Sequence, residues 1–148
     1  MSTVEAGVQE LVLLMPRLVA RAKKLPVPPE LRDFALAPRH IALLALLQCN
    51  GPLTVNELAA RLEVAPTTAS LMVGDLSRQG MLDRTEDPAD RRRTIVSIAE
   101  NHREAVHAWL SGSANAWRKA LAPLTSDERE LFVATLRAYE QAVREETS

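Results

Sequence analysis

Apolar residues recur at three- and four-residue spacing over most of this chain, and a few well-marked breaks interrupt the repeat. Val8, Leu11, Val12, Met15, Leu18, Val19 and Ala22 form one such stripe, which predicts a helix from about Val4 to Lys24. Pro16 lies inside it and predicts a kink or a break, because proline removes one hydrogen bond of the helical ladder. Leu25-Pro26-Val27-Pro28-Pro29 reads as a stiff connector, followed by a short helical piece near Glu30–Ala35. Ile41, Leu43, Leu44, Leu46 and Leu47 make the next segment apolar nearly all round. A central helix is therefore expected to open at Ala37-Pro38 and to stop at Asn50-Gly51-Pro52.

Thr54-Val55-Asn56-Glu57 has the form of a capping box. In that device the threonine hydroxyl accepts from the Glu57 backbone N–H and the glutamate reaches back, with Leu53 and Leu58 at the staple positions. It starts a third helix that ends near Leu62. Only Glu63, Val64 and Ala65 intervene before a fourth helix, from Pro66 to Gln79, with Gly80 as its stop. A short helix, a tight turn and a second helix make a helix-turn-helix outline. Leu82–Glu86 and Thr94–Ile98 then alternate as strands around Asp87-Pro88-Ala89-Asp90-Arg91-Arg92-Arg93, so a hairpin with an arginine-rich tip is expected. Ser97-Ile98-Ala99-Glu100 permits a cap before a fifth helix, which reaches about Leu121 on a stripe of Val106, Trp109, Leu110, Trp117 and Leu121. Thr125-Ser126-Asp127-Glu128 is a second capping box, opening a sixth helix to about Glu145 with Leu131, Phe132, Leu136, Tyr139 and Val143 on one side.

The fourth helix divides into two faces. At 100° per residue, Ser70, Leu71, Gly74 and Arg78 fall within about 60° of Thr67, while Ala69, Met72, Val73 and Leu76 lie opposite. The second set is a core face. The first is small and polar, and a DNA major groove accepts such a helix because small side chains permit close approach. Thr67 and Ser70 can reach phosphates or base edges, Leu71 can pack on a thymine methyl, and a phosphate is favoured at the helix N-terminus. The guanidinium forks at the hairpin tip match phosphate oxygens and base edges, and their charge suits a narrow minor groove.

Composition narrows the rest. The chain has 148 residues, 47% hydrophobic, 25% charged and only 3% aromatic, which suits one helical module with a Leu/Val/Ala core. The net charge of −1 excludes a global basic field, so any nucleic-acid surface is local. Between Thr54 and Ile98 six arginines stand against seven carboxylates, and binding is expected to depend on a few placed arginines: Arg78, Arg84, Arg91, Arg92 and Arg93. Cys49 is the sole cysteine, expected as a buried, inert thiol of a cytoplasmic protein. No signal peptide or bilayer-spanning run is read in the chain, so no membrane partner is expected. His40, His102 and His107 lack metal-ligand spacing, and there is no phosphate-cradling glycine loop or nucleophile elbow. No catalytic residue, cofactor or metal is expected, and the protein is not read as an enzyme.

The order of elements, and Leu53-Thr54 with Glu57-Leu58-Ala59, Leu76 with Gly80, and Asp87-Pro88-Ala89-Asp90-Arg91-Arg92, resemble the MarR family of transcriptional regulators. The resemblance extends over nearly the whole chain. It implies a mainly α fold with a small β-hairpin wing: a winged helix-turn-helix within a homodimer whose first, fifth and sixth helices interleave. It implies that Arg92 reaches the minor groove, that Asp90 holds the wing, and that Thr67, Ser70 and Leu71 occupy recognition positions. Pro66, Thr68, Arg78, Arg84, Arg91 and Arg93 complete the expected DNA-binding set. Three positions depart from the family pattern: Leu71 and Pro66, where polar or basic residues are frequent, and Ala99, where threonine is usual.

On this reading residues 1–36 form a dimerisation helix and connector, 37–99 the DNA-binding region and 100–148 the C-terminal dimerisation helices. The expected partners are a near-palindromic duplex operator and a second copy of the chain. The resemblance also implies repression relieved by a small aromatic or anionic effector. Arg39 and His40 are candidate effector-binding groups, or simply a solvated helix end. Two other readings stay open: a thiol-based redox regulator acting through Cys49, and a winged-helix protein-interaction module that does not bind DNA.

Overall fold

Thr3 opens the first helix, its hydroxyl accepting from the Ala6 N–H at 3.1 Å. This helix, α1 (Val4–Ala22), belongs to a computed structural model that describes residues 3–148. It runs unbroken through Pro16, so the break allowed for there does not occur. Proline's φ is already helical, so only one ladder hydrogen bond is lost. The connector holds a single 3₁₀ turn, Pro29–Leu31, instead of the helical piece expected over 30–35.

The remaining elements are α2 (Pro38–Asn50), β1 (Leu53–Thr54), α3 (Val55–Leu62), α4 (Pro66–Arg78), β2 (Leu82–Glu86), β3 (Thr94–Ile98), α5 (Glu100–Leu121) and α6 (Ser126–Thr147). The expected hairpin is present with the expected strand limits, and its register sets Leu82 opposite Ile98 and Glu86 opposite Thr94. The sheet has one strand more than the pattern predicts. Leu53 and Thr54 pair antiparallel with Val96 and Ile95, giving the order β1-β3-β2. Two residues are too few to show alternation, so β1 is invisible to periodicity.

One apolar core sits where α2, α3, α4, the sheet and the start of α5 meet. Leu43, Leu44, Leu58, Leu76, Met81, Val96 and Val106 are fully inaccessible. Each such side chain contributes roughly 1.5–3 kcal/mol of transfer free energy. Gly51 and Gly80 have φ of 75° and 83°, and both stand where a helix ends. That conformation favours glycine, as the stop signals in the sequence require. Ser97 lies in β3 opposite Asp83, inside the expected strand. The start of α5 is tied down by the Ala99 N–H donating to the Met81 carbonyl at 2.8 Å.

Packing divides the chain inside α5, one compact unit reaching to Gly112 and a second running Ser113–Ser148. In the second, both halves of the Thr125 box form: the Glu128 N–H donates to the Thr125 hydroxyl at 3.2 Å, and the Thr125 N–H to Glu128 Oε1 at 2.9 Å. The rings of Trp117 and Phe132 meet at a 52° tilt with centroids 5.7 Å apart. Neither α1 nor α6 has a single buried residue, although both carry apolar stripes. Leu131 of the α6 stripe is 69% exposed and Val12 of the α1 stripe 64%. Among the described residues no helix is long and apolar enough to cross a membrane.

Candidate nucleic-acid interface

The turn between α3 and α4 closes tightly. Glu63 adopts the left-handed conformation at φ 56°, and the Val64 N–H donates to the Ala59 carbonyl at 3.0 Å, a Schellman closure. Pro66 then opens α4 with its φ preset. The capping box before α3 is half formed. The Glu57 N–H donates to the Thr54 hydroxyl at 3.1 Å, but the Glu57 carboxylate accepts from that hydroxyl at 3.0 Å and does not reach back to the backbone. Thr54 belongs to β1, and its strand pairing with Ile95 sets where its backbone lies.

α4 buries Ala69, Met72, Val73 and Leu76, the core face read from the wheel, and also Gly74, which the wheel places on the polar face. The Arg78 side chain folds back over that glycine: a Cβ built there would lie 3.3 Å from Arg78 Nη1. Arg78 pairs with Asp75 one turn earlier. Pro66, Thr67 and Ser70 are exposed, Thr68 is half-buried, and Leu71 is 69% exposed, an apolar side chain standing in solvent between polar neighbours.

The wing tip is built on two aspartates. Asp87 Oδ1 accepts from the Ala89 N–H at 2.9 Å, and the Asp87 N–H donates to the Arg93 carbonyl at 3.0 Å, closing the loop. Asp90 Oδ1 accepts from the Arg92 N–H at 3.1 Å and from Arg92 Nε at 3.2 Å. Arg93 Nε stands 3.7 Å from Asp90 Oδ2. The Arg92 side chain, then its backbone N–H, hold the Asp90 carboxyl below the usual carboxylate range. Arg91, Arg92 and Arg93 are all exposed. Arg84 is exposed on β2 opposite Val96.

Ser70, Arg92 and Arg93 line one cleft of about 240 Å³, together with Thr54, Val55, Asn56 and Thr94. The cleft therefore joins α3, α4 and the wing. Arg78 and Arg84 do not line it. Asn56 lines the cleft although it is not among the residues expected from the sequence. Its signal was its place in the first turn of the leading helix of the motif, where a backbone phosphate can pass.

Two other cavities lie in the same unit. One of about 510 Å³ is bounded by Leu47, Gln48, Ile98, Arg103, Glu104 and His107 among others. The Gln48 amide meets His107 Nδ1 at 2.9 Å, and Arg103 Nε donates to the Ile98 carbonyl at 3.2 Å. The second, about 240 Å³, is lined by Val27, Leu31, Arg32, Phe34, Leu36 and Trp109. Arg39 and His40 line none of the three. His40 is not a solvated helix end: it is 6% exposed, and its Nδ1 accepts from the Ala37 N–H at 3.0 Å, capping α2. Burial, then the neighbouring Arg39 charge, lower its pKa, while Asp75 opposes them. Cys49 is exposed, not buried as expected, because the last turn of α2 turns that side away from the core.

Residues 36–94 match the MarR family. The chain is 30% identical to the HTH-type transcriptional repressor MdtR of Bacillus subtilis over 93 residues, which is 63% of this chain and 60% of that protein. It thus spans about three fifths of that relative. It is 26% identical to the HTH-type transcriptional regulator YkoM of Bacillus subtilis over 124 residues, 82% of this chain and 80% of YkoM. Among solved structures, S. aureus MepR in its DNA-binding conformation matches with a TM-score of 0.66 at 20% identity, covering 92% of this chain and 98% of MepR. The PcaV regulator of Streptomyces coelicolor, in complex with its natural ligand, matches at 0.61 and 22% identity, covering 97% and 99%. These two likenesses show the winged-helix fold.

Proposed function

We propose that this chain is a MarR-family regulator that binds duplex DNA as a homodimeric, sequence-specific transcriptional repressor. The observation that carries the reading is the shared cleft: a recognition-helix residue, Ser70, and two wing arginines, Arg92 and Arg93, converge on it beside the start of α3. Such a surface grips the backbone while the ridge of Thr67, Ser70 and Leu71 enters the major groove and Arg92 the minor groove. Pro66, Thr68, Arg84 and Arg91 flank that ridge and the wing, and Arg78 holds the far end of α4. The exposed stripes of α1 and α6 support a second copy as partner, since apolar stripes left in solvent are surfaces for association. Two such modules read half-sites about one helical turn apart. Selection of bound duplexes from a random pool tests this. An inverted repeat is expected, and a protein that selects nothing is not a DNA-binding regulator.

Release by a small anionic effector is the second part of the reading. The cavity of about 510 Å³ supports it, with Arg103 and His107 at its walls over an apolar floor of Leu47 and Ile98. An effector there must favour a state whose recognition helices no longer match the half-sites. Titration of an aromatic carboxylate such as benzoate into the protein–DNA complex should release the duplex, and Arg103→Ala should blunt the release. Loss of DNA affinity after mild peroxide, with Cys49 oxidised, would make the thiol the trigger instead.

A further inference from the structure

We propose that the cleft between the start of α3, Ser70 of α4 and the base of the wing seats one phosphodiester of the DNA backbone, held by Arg93, Asn56 and Ser70. This rests on the DNA-binding reading and adds to it the place where the protein fixes its register on the duplex.

The lining of the cleft contains two guanidinium groups, one amide and the hydroxyls of Ser70, Thr54 and Thr94, and no carboxylate. The nearest acid on α3, Glu57, is committed to the Thr54 hydroxyl, and that hydroxyl is itself occupied by the Glu57 N–H. Arg92 is held by Asp90 through both backbone and side chain, and its side chain is 91% exposed. Arg93 approaches the same carboxylate only at 3.7 Å, beyond hydrogen-bond length, so its fork is the freer of the two. Asn56 and Ser70 are exposed.

The frame around these groups is tied together by the protein's own strand pairing. The pairing of Leu53 with Val96 and of Thr54 with Ile95 ties the start of α3 to the strand that carries Thr94, the residue after Arg93. Ser70 faces the same space from α4, whose opposite side is the core face. A phosphate seated here touches three elements at once. It carries no sequence information, but it fixes how deep α4 lies in the groove and where the wing falls.

The test uses the full-length protein and duplexes selected from a random pool, with a scrambled duplex beside them. Arg93→Ala and Asn56→Ala should weaken both duplexes by the same factor. For Arg93→Ala the slope of log K against log salt should fall by about 0.9 for each phosphate that the variant no longer neutralises. Asn56→Asp, which brings a carboxylate into the cleft, should weaken binding more than Asn56→Ala. Methylphosphonate substitution along the selected duplex should find one position per half-site that costs the wild type affinity and costs Arg93→Ala none. Leu71→Ala, outside the cleft, should change sequence preference and leave the salt slope alone.

An unchanged affinity and slope in Arg93→Ala, with the wild type binding normally, overturns the seat and leaves the DNA-binding reading intact. A loss confined to the selected duplex makes Arg93 a base reader and also overturns it. Inorganic phosphate that displaces DNA from the wild type at constant ionic strength, but not from Arg93→Ala, makes the cleft a free-anion site and overturns it too. A wild type that binds no duplex removes both readings together.

Discussion

Asp90 holds Arg92 by two different atoms through one carboxylate oxygen: Oδ1 accepts from the Arg92 backbone N–H at 3.1 Å and from its Nε at 3.2 Å. The backbone bond shapes the wing tip, and the side-chain bond aims a guanidinium that is 91% exposed. An exposed ion pair adds little to global stability. The function of Asp90 is therefore geometric, and its removal should be felt locally.

Asp90→Ala should leave the melting temperature nearly unchanged while amide exchange over residues 87–93 accelerates. Because Arg92 lowers the Asp90 pKa below 3.8, the hold is fully present above pH 3.8 and is lost as pH falls through the lowered value. Amide exchange in the wing should therefore quicken only in strong acid. An equal acceleration throughout the chain would show that Asp90 supports the whole fold.

His40 should confer a different pH dependence. Its Nδ1 must stay unprotonated to accept from the Ala37 N–H, and burial lowers its pKa below 6.5. The unfolded chain thus binds the proton more readily, so this stability is present above pH 6.5 and is lost as pH falls through the folded value. His40→Ala should cost about 0.5–2 kcal/mol near neutral pH, the range of a lost cap. It should also flatten the decline of denaturant stability as pH falls below 6.5. A variant with the wild-type decline would place that titration elsewhere.

Gly74 sits inside α4, where glycine is disfavoured against alanine by about 1 kcal/mol. The atom a new methyl would meet at 3.3 Å is the tip of Arg78, a flexible side chain that can swing aside. The propensity term should win, and Gly74→Ala should raise stability by roughly 0.5–1 kcal/mol. A loss of stability in urea would show that Arg78 is fixed over the glycine more tightly than an exposed ion pair allows.

The sequence displays the helices because each carries long apolar periodicity and chemical punctuation: Thr54, Pro66, Gly80 and Thr125 mark boundaries that the fold keeps. The hairpin was equally legible, since turn residues separate two alternating strands. β1 was not, because its two residues mean nothing until Ile95 and Val96 lie beside them. The same non-locality hid Asn56, whose neighbours in the cleft come from α4 and the wing. Pro16 permitted a break that the fold does not make, since a single missing donor does not break a helix of 19 residues. His40 misled because a basic residue near a helix start reads as solvated until its ring is seen turned back onto Ala37. The apolar stripe of α6 was legible as a pattern, but its exposure appears only in the fold.

That exposed stripe should be an interface. Sedimentation equilibrium at micromolar concentration should give twice the 16.3 kDa chain mass. Leu131→Glu with Leu136→Glu should shift the mass toward one chain and weaken operator binding, with helicity retained. A wild type that sediments as a monomer would leave α6 without its partner.

Binding of fluorescent duplex by the wild type and by Arg92→Ala, titrated with salt, decides whether the wing and helix act together on DNA. The wild type should retain a selected inverted repeat over scrambled duplex, and Arg92→Ala should weaken that complex by about 1–3 kcal/mol. A wild-type protein that binds neither duplex at low ionic strength, or an Arg92→Ala variant that binds as the wild type does, would contradict it.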